Sequence, residues 1–428
     1  MSTLSRRNFI KLAATSSVAG LGVYGCAANA KKKSSGGGHV VVIGGGAGGT
    51  IAAKYIRKMD QNIKVTLIEK DAKHSTCFMS NWILADIRDL DSLTHSYDKL
   101  ASNHDIKIVH DTVTEIDAAG KKVKTAGGKS IAYDRCIVSP GVSFRWDSIE
   151  GYDESASHKV PHAWFAGQQT ALLHKQLQAM PNGGLFVLAA PPNPFKCPPG
   201  PYERASLVAH YLKTKKPKSK VLILDAKDKF SKQGLFTAGW EKLYPGMIEW
   251  RSKANDGKVL GIDADKRVAM TEFDEIEADV LNVIPAQKAG HIAEVAGLTD
   301  DTGWCPVHHN TWESKIHPGV HVIGDAAIQA PLPKSGYAAN SEAKVCAAAV
   351  VALLNGEEQP TPSWVNTCYS LIGPNYGISV AMVYNLTAEG KVGKIKGSGG
   401  LTPKDGNNAL EAVYAKSWYT NIVSDMFG

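Results

Sequence analysis

Gly44, Gly46 and Gly49 stand at the spacing G-x-G-x-x-G. That pattern lets a chain turn tightly, lay its backbone against a pyrophosphate and pack a helix closely on a strand. A second cluster, Phe195-Lys196-Cys197-Pro198-Pro199-Gly200, offers other chemistry: a thiol in a loop that Pro192, Pro194, Pro198, Pro199 and Pro201 stiffen and keep from forming a regular helix. Pro201 suits the first turn of a helix running on from about Glu203, so the helix N-terminus is expected near the sulfur, favouring thiolate over thiol. Glu203, six residues after Cys197, stands at that helix start either as a proton acceptor or as a plain dipole partner.

The elements that must position these residues are legible around them. Val40-Val41-Val42-Ile43 reads as a buried parallel strand, and Thr50 to Ile56 as the helix whose N-terminus meets the phosphates. The next strand, Lys64 to Ile68, ends at Glu69, placed to accept hydrogen bonds from a ribose. Ile106–Val109 and Lys122–Thr125 alternate in polarity and suggest a small antiparallel sheet, and Cys136-Ile137-Val138 reads as a buried strand. A flavoenzyme with two dinucleotide sites would repeat its fingerprint after Leu185-Phe186-Val187-Leu188-Ala189-Ala190; here the strand runs into Pro191-Pro192 and then Cys197. The strand Val320–Ile323 ends in Gly324-Asp325-Ala326, and Lys334-Ser335-Gly336 opens a long alanine-rich helix to about Leu354. Asp325 is placed to hydrogen-bond a flavin ribityl hydroxyl, and Lys334 and the helix start to stabilise negative charge on a reduced flavin.

The 428 residues exceed one domain, and 43% hydrophobic content with 41 glycines fits an α/β protein with many strand–helix turns. Ser5-Arg6-Arg7-Asn8-Phe9 before a short small-residue stretch reads as a twin-arginine export signal over residues 1–30. Cleavage at Ala28-Asn29-Ala30 is the first expectation for its processing; lipidation at Cys26, in a lipobox-like Val23-Tyr24-Gly25-Cys26, is the alternative. Residues 31–38 read as a tether. Removing the signal lowers the formal charge from +7 to +4, which is no nucleic-acid-binding balance. No transmembrane span and no metal-ligand spacing among the histidines is expected. Six cysteines remain after the signal, allowing fifteen full pairings that spacing alone does not choose among; Cys136, Cys305 and Cys346 read as structural.

The chain resembles the flavoprotein subunit of flavocytochrome c sulfide dehydrogenase, a disulfide-reductase-like flavoprotein family related to sulfide:quinone oxidoreductases. The resemblance covers nearly the whole chain and rests on Thr76-Cys77-Phe78-Met79-Ser80-Asn81, Cys197-Pro198-Pro199-Gly200-Pro201-Tyr202-Glu203-Arg204-Ala205, Gly303-Trp304-Cys305-Pro306-Val307, Pro333-Lys334-Ser335-Gly336-Tyr337, Asn366-Thr367-Cys368-Tyr369-Ser370 and Ser417 to Val423. It implies two Rossmann-like, glutathione-reductase-type domains plus a C-terminal α+β domain. The boundaries read as 39–150 and 285–358 for an FAD-binding domain in two parts, 151–284 for a second Rossmann-like domain without a nicotinamide fingerprint, and 359–428 for the last. It also implies FAD on an 8α-thioether at Cys77, a redox-active disulfide between Cys197 and Cys368, and a c-type cytochrome partner. The chain has no C-x-x-C-H sequence, so the haem belongs to that partner.

The resulting expectation is a periplasmic enzyme that oxidises sulfide to sulfane sulfur, with Glu203 as base, and reduces cytochrome c. Sulfide:quinone oxidoreduction is the enzymatic alternative, since Leu410, Val413, Tyr414, Trp418, Ile422, Val423 and Phe427 form an amphipathic stripe that suits a lipid surface as well as a core. A non-catalytic flavoprotein within a larger sulfur-oxidising assembly is the third reading.

Overall fold

The computed structural model describes residues 37–428; Arg6, Arg7 and Cys26, and with them the export-signal and lipidation expectations, lie outside the described residues. The run Val40–Ile43 is almost wholly buried and forms the strand His39–Ile43 in the interior of a seven-stranded sheet. Its neighbours are Lys64–Ile68 on one side and Arg135–Val138 on the other, both parallel. Continuous apolar runs of this kind belong to strands covered on both faces.

The chain leaves this sheet after Val138, comes back at its far edge with the short strands Val307–His308 and Glu313–Ser314, and reaches Val320–Val322, which pairs in parallel with Arg135–Val138. The returning helix Gly336–Asn355 packs its alanines on the fingerprint helix Ala47–Met59. It is long and apolar enough to cross a membrane, with a mean hydropathy of 1.2, yet much of it is buried inside the fold. Lys107–Val109 joins the edge of this same sheet in parallel with Lys64–Ile68, whereas its alternating residues suggested an antiparallel sheet. The antiparallel sheet next to it is built from Val113–Asp117, Lys122–Thr125 and Ser130–Ala132.

The inserted segment makes a second parallel sheet in the order Ile248–Arg251, Lys220–Asp225, Leu185–Ala190, Val280–Val283. The last part of the chain is a long hairpin, Ser363–Gly373 against Tyr376–Leu386 with Cys368 opposite Val380, and a helix, Asn408–Phe427, lying across it. The molecule is thus an α/β protein of two Rossmann-like units and a C-terminal α+β unit. The apolar stripe of the final helix is not one surface. Leu410, Val413 and Tyr414 are exposed, while Tyr419, Ile422, Met426 and Phe427 are core; in the first half of the helix it is Ala412 and Ala415 that are buried, against Met79, Trp82 and Ile83.

Candidate active site

The fingerprint loop closes on itself through contacts that only glycine permits. Gly44 has φ +99°, and a Cβ there would fall 2.3 Å from the Ser139 carbonyl oxygen; at Gly49 a Cβ would fall 1.8 Å from the Gly44 oxygen. Gly46, which caps the helix, is different, since the nearest atom to a Cβ there is His74 Cε1 at 3.7 Å. The loop is therefore tight within the protein and open on its outer side, as a pyrophosphate requires. Glu69 is half-buried, and its Oε2 accepts from the Gly45 amide at 2.6 Å and its Oε1 from the Asp71 amide at 3.2 Å. It ties the fingerprint turn to the second strand.

Across the sheet, Asp325 stands on the single turn Gly324–Ala326 with a buried Oδ1 that meets no hydrogen-bond donor. A buried carboxylate oxygen without a partner is costly unless a ligand supplies one. Burial raises the pKa of Asp325, against the opposing charges of Lys196 and Lys334. The Lys334 ammonium donates to the carbonyls of Asp325 and Ala327 at 2.7 and 2.8 Å and lies 3.8 Å above the Trp304 ring. Burial pushes its pKa down to about 8. Glu342 completes the group: its Oε2 accepts from the Gly324 amide at 2.8 Å, and burial pushes its pKa up to about 8.

Lys334 also leads to the cysteines, because its carbonyl accepts from the Cys197 amide at 2.7 Å. Cys197 has φ +56°, and its carbonyl accepts from the Gly200 amide where the helix Gly200–Lys215 begins. Its sulfur lies over that first residue: a Cβ on Gly200 would come within 3.0 Å of it. The expected thiolate preference is not what results. Burial pushes the Cys197 thiol pKa well up, and the neighbouring Cys368, Glu203 and Cys77 add to this, with Lys196 alone opposing among the main contributors. Desolvation of the sulfur outweighs the helix terminus.

Cys368 comes from the hairpin, and its sulfur lies 3.5 Å from the Asn366 Nδ2. Cys77, half-buried at the edge of the same group, has its carbonyl bound by the Ser80 hydroxyl at 2.6 Å. Cys77, Cys197 and Cys368 are free thiols in this structure. Cys136, Cys305 and Cys346 are fully buried apart from them. Glu203 is buried with both oxygens engaged, one by the Leu371 amide at 2.8 Å and the other by Asn81 Nδ2 at 3.1 Å; burial raises its pKa.

Two buried cations here were not singled out from the sequence. Lys232 donates to the Cys368 carbonyl at 2.9 Å and to the Ser370 hydroxyl at 2.8 Å. Arg204 bonds Asn81, Asn282 and the carbonyls of His162 and Ala163. The motif that begins at Cys197 runs through Arg204 itself without assigning it a role, and nothing local marks Lys232.

The nucleotide position of the second unit is occupied by protein. Asp225 ends the strand where a ribose-binding acid would stand, yet it is wholly buried and accepts from Tyr202 at 2.6 Å, Trp250 at 2.9 Å and Lys227 at 2.6 Å. Phe230 stacks on Tyr202 with ring centroids 3.7 Å apart.

Residues 38–176 match the pyridine nucleotide-disulphide oxidoreductase family, 170–285 the central region of the sulfide dehydrogenase (flavocytochrome c) flavoprotein chain, and 360–427 the flavin-binding region of flavocytochrome c sulphide dehydrogenase. A mitochondrial sulfide:quinone oxidoreductase of Dictyostelium discoideum is 22% identical over 248 residues, 55% of this chain; the chain spans only about half of that relative's length, 53%. Two solved structures share the fold: a sulfide:quinone oxidoreductase of Aquifex aeolicus (TM-score 0.71, 19% identity, covering 90% of this chain and 92% of that one) and an NAD-dependent persulfide reductase of A. fulgidus (TM-score 0.59, 16% identity, covering 90% and 77%). The family-specific matches fall on the segments that carry Cys197, Glu203 and Cys368, so the chain carries the central and flavin-binding regions of the flavocytochrome c sulfide dehydrogenase flavoprotein.

Proposed function

We propose that this flavoprotein oxidises sulfide to sulfane sulfur through a Cys197–Cys368 disulfide and FAD, and passes the electrons to a c-type cytochrome. The observation that carries the reading is that Cys368, Glu203 and Cys77 lie near enough to Cys197 to act on its charge, beside a second Rossmann unit whose nucleotide position is filled. In the oxidised pair, hydrosulfide bonds to one bridge sulfur, the S–S bond breaks, and its electron pair leaves on the other cysteine. The products are one cysteine persulfide and one thiolate. Glu203, its pKa raised by burial, accepts the proton that the sulfur releases. FAD supplies the acceptor for the electron pair and its delivery in single-electron steps.

The residues present suit that cofactor. The open side of Gly46 suits the pyrophosphate, Glu69 the ribose, the unpartnered Asp325 Oδ1 a ribityl hydroxyl, Lys334 the reduced ring and Cys77 a thioether. Export by the twin-arginine route to the periplasm belongs to the same proposal, and mass spectrometry of the mature N-terminus distinguishes cleavage from lipidation at Cys26.

One observation favours quinone as the acceptor instead: Leu410, Val413 and Tyr414 with Leu401 expose an apolar face suited to a membrane surface. The purified protein, mixed with sulfide and either cytochrome c or a short-chain quinone, separates the two. Cytochrome reduction supports the proposal; quinone reduction alone overturns its last step. Yellow flavin released by acid precipitation refutes the Cys77 linkage, and sulfide bleaching of the flavin that survives Cys197→Ser refutes the disulfide. Reduction of neither acceptor, with candidate haem subunits present, leaves the non-catalytic role.

A further inference from the structure

Lys232 is a nearly buried ammonium whose two hydrogen bonds go to neutral oxygens, the Cys368 carbonyl at 2.9 Å and the Ser370 hydroxyl at 2.8 Å. It is fixed in the left-handed region, φ +61°, where it caps the helix Gln233–Leu243. A buried cation lacking a close counter-ion destabilises the resting state, and such a group is stabilised when a neighbour becomes an anion. The negative groups that act on it are Cys368, Glu203, Cys197 and, from the final helix, Glu411, with Cys368 foremost.

A second, independent line converges on the same sulfur. Ser335, which caps the helix Gly336–Asn355 by accepting from the Ala338 amide, donates to Asn366 Oδ1 at 2.7 Å. That bond fixes the Asn366 amide beside Cys368 Sγ, where Oδ1 at 3.7 Å accepts from the thiol and Nδ2 at 3.5 Å is the donor available to the thiolate. Cys197 has no such pair of donors. The nearby Lys196 ammonium is turned to the Trp164 carbonyl, and Arg204 spends its hydrogen bonds on amide oxygens.

We infer that Lys232, with Asn366, holds Cys368 as the thiolate when the bridge opens, and so makes Cys368 the leaving sulfur and Cys197 the bearer of the incoming one. The inference deepens the sulfide-oxidising reading and rests on it for its chemistry. Hydrosulfide forms a bond to Cys197 Sγ, the Cys197–Cys368 bond breaks, and the electron pair and negative charge pass to Cys368, where the ammonium meets them. The better-stabilised thiolate is the faster leaving group. Lys232 is a positioning residue: it acts on substrate only through Cys368.

The test uses the flavin-loaded full chain, reduced with dithiothreitol and alkylated with iodoacetamide over a series of pH values, each cysteine being followed by peptide mass spectrometry. Lys232→Met is expected to slow alkylation of Cys368 about tenfold at neutral pH and move its midpoint up by about one pH unit, with a smaller shift at Cys197. Lys232→Arg restores the profile. Ser370→Ala, which removes one anchor of the ammonium, gives a smaller shift in the same direction and serves if Lys232→Met does not fold. An unchanged Cys368 profile in both variants, or equal shifts at both cysteines, overturns the inference. On the oxidised wild-type protein treated with one equivalent of sulfide, the extra sulfur is expected on the Cys197 peptide, and its appearance on Cys368 overturns the assignment. No sulfur adduct on either, with Cys368 reactivity still set by Lys232, sinks the sulfide reading and keeps the thiolate assignment.

Discussion

Glu342 sits wholly buried in the middle of an alanine-rich helix, one oxygen on the Gly324 amide and the other unpartnered. Burial raises its pKa from 4.5 to about 8, so the folded chain keeps a proton that the unfolded chain has released. The sign follows directly. Its stabilisation is full below pH 4.5 and is lost as pH rises to about 8, at up to about 1.4 kcal/mol per pH unit. Glu342→Gln keeps an oxygen for Gly324 and has no proton to lose. Its melting temperature is expected to match the wild type in mild acid and exceed it increasingly toward pH 8, measured by thermal scans at matched ionic strength. Glu203 behaves otherwise, because two donors, from Leu371 and Asn81, meet its two oxygens. Glu203→Gln sets an amide NH2 against one of them, which costs about 1–3 kcal/mol of stability. It also removes the proton acceptor, so stopped-flow bleaching of the flavin by sulfide is expected to slow by about 10²-fold or more.

At the scale of elements, the hairpin Ser363–Gly373 and Tyr376–Leu386 delivers Cys368, and the helix Asn408–Phe427 presses it into place. Gly377 makes the contact close: a Cβ there would lie 2.5 Å from the Ala412 amide nitrogen and 2.6 Å from the Glu411 carbonyl carbon. Both are backbone atoms, which cannot swing aside. Gly377→Ala is expected to cost about 1–3 kcal/mol in chemical denaturation and to loosen the hairpin, with bound flavin lost at lower denaturant than the wild type requires. This interface is also where the sequence is least legible. The fingerprint strand, turn and helix are spelled by neighbours in the chain, and Cys197 is marked by its own prolines. Lys232, by contrast, is an ordinary lysine after a serine until a hairpin some 136 residues later buries it against Cys368. Lys107–Val109 misleads for a related reason: its alternation is that of a half-covered edge strand, and alternation does not tell a parallel edge from an antiparallel one.

Over the whole molecule, one Rossmann unit keeps an open nucleotide fingerprint and the other has lost its own, and the loss is structural as well as local. Leu185–Ala190 still lies between parallel neighbours and is still followed by a helix, so the scaffold of a dinucleotide site persists. Its ligand space does not. Asp225 is committed to Tyr202, Trp250 and Lys227, and Phe230 lies flat on Tyr202. Releasing Asp225 to a ribose would strand the buried Tyr202 hydroxyl, at a cost of about 1–3 kcal/mol, would break the half-buried Trp250 and Lys227 bonds, and would also unstack an aromatic pair. NADH or NADPH is therefore expected to leave the flavin oxidised on the timescale on which sulfide bleaches it, as followed anaerobically by flavin absorbance. Phe230→Ala alone is expected to leave that result unchanged, because the three hydrogen bonds to Asp225 stay intact. Rapid flavin reduction by either nicotinamide in the wild type would show that the aromatic cluster opens, and that electrons have a second entrance.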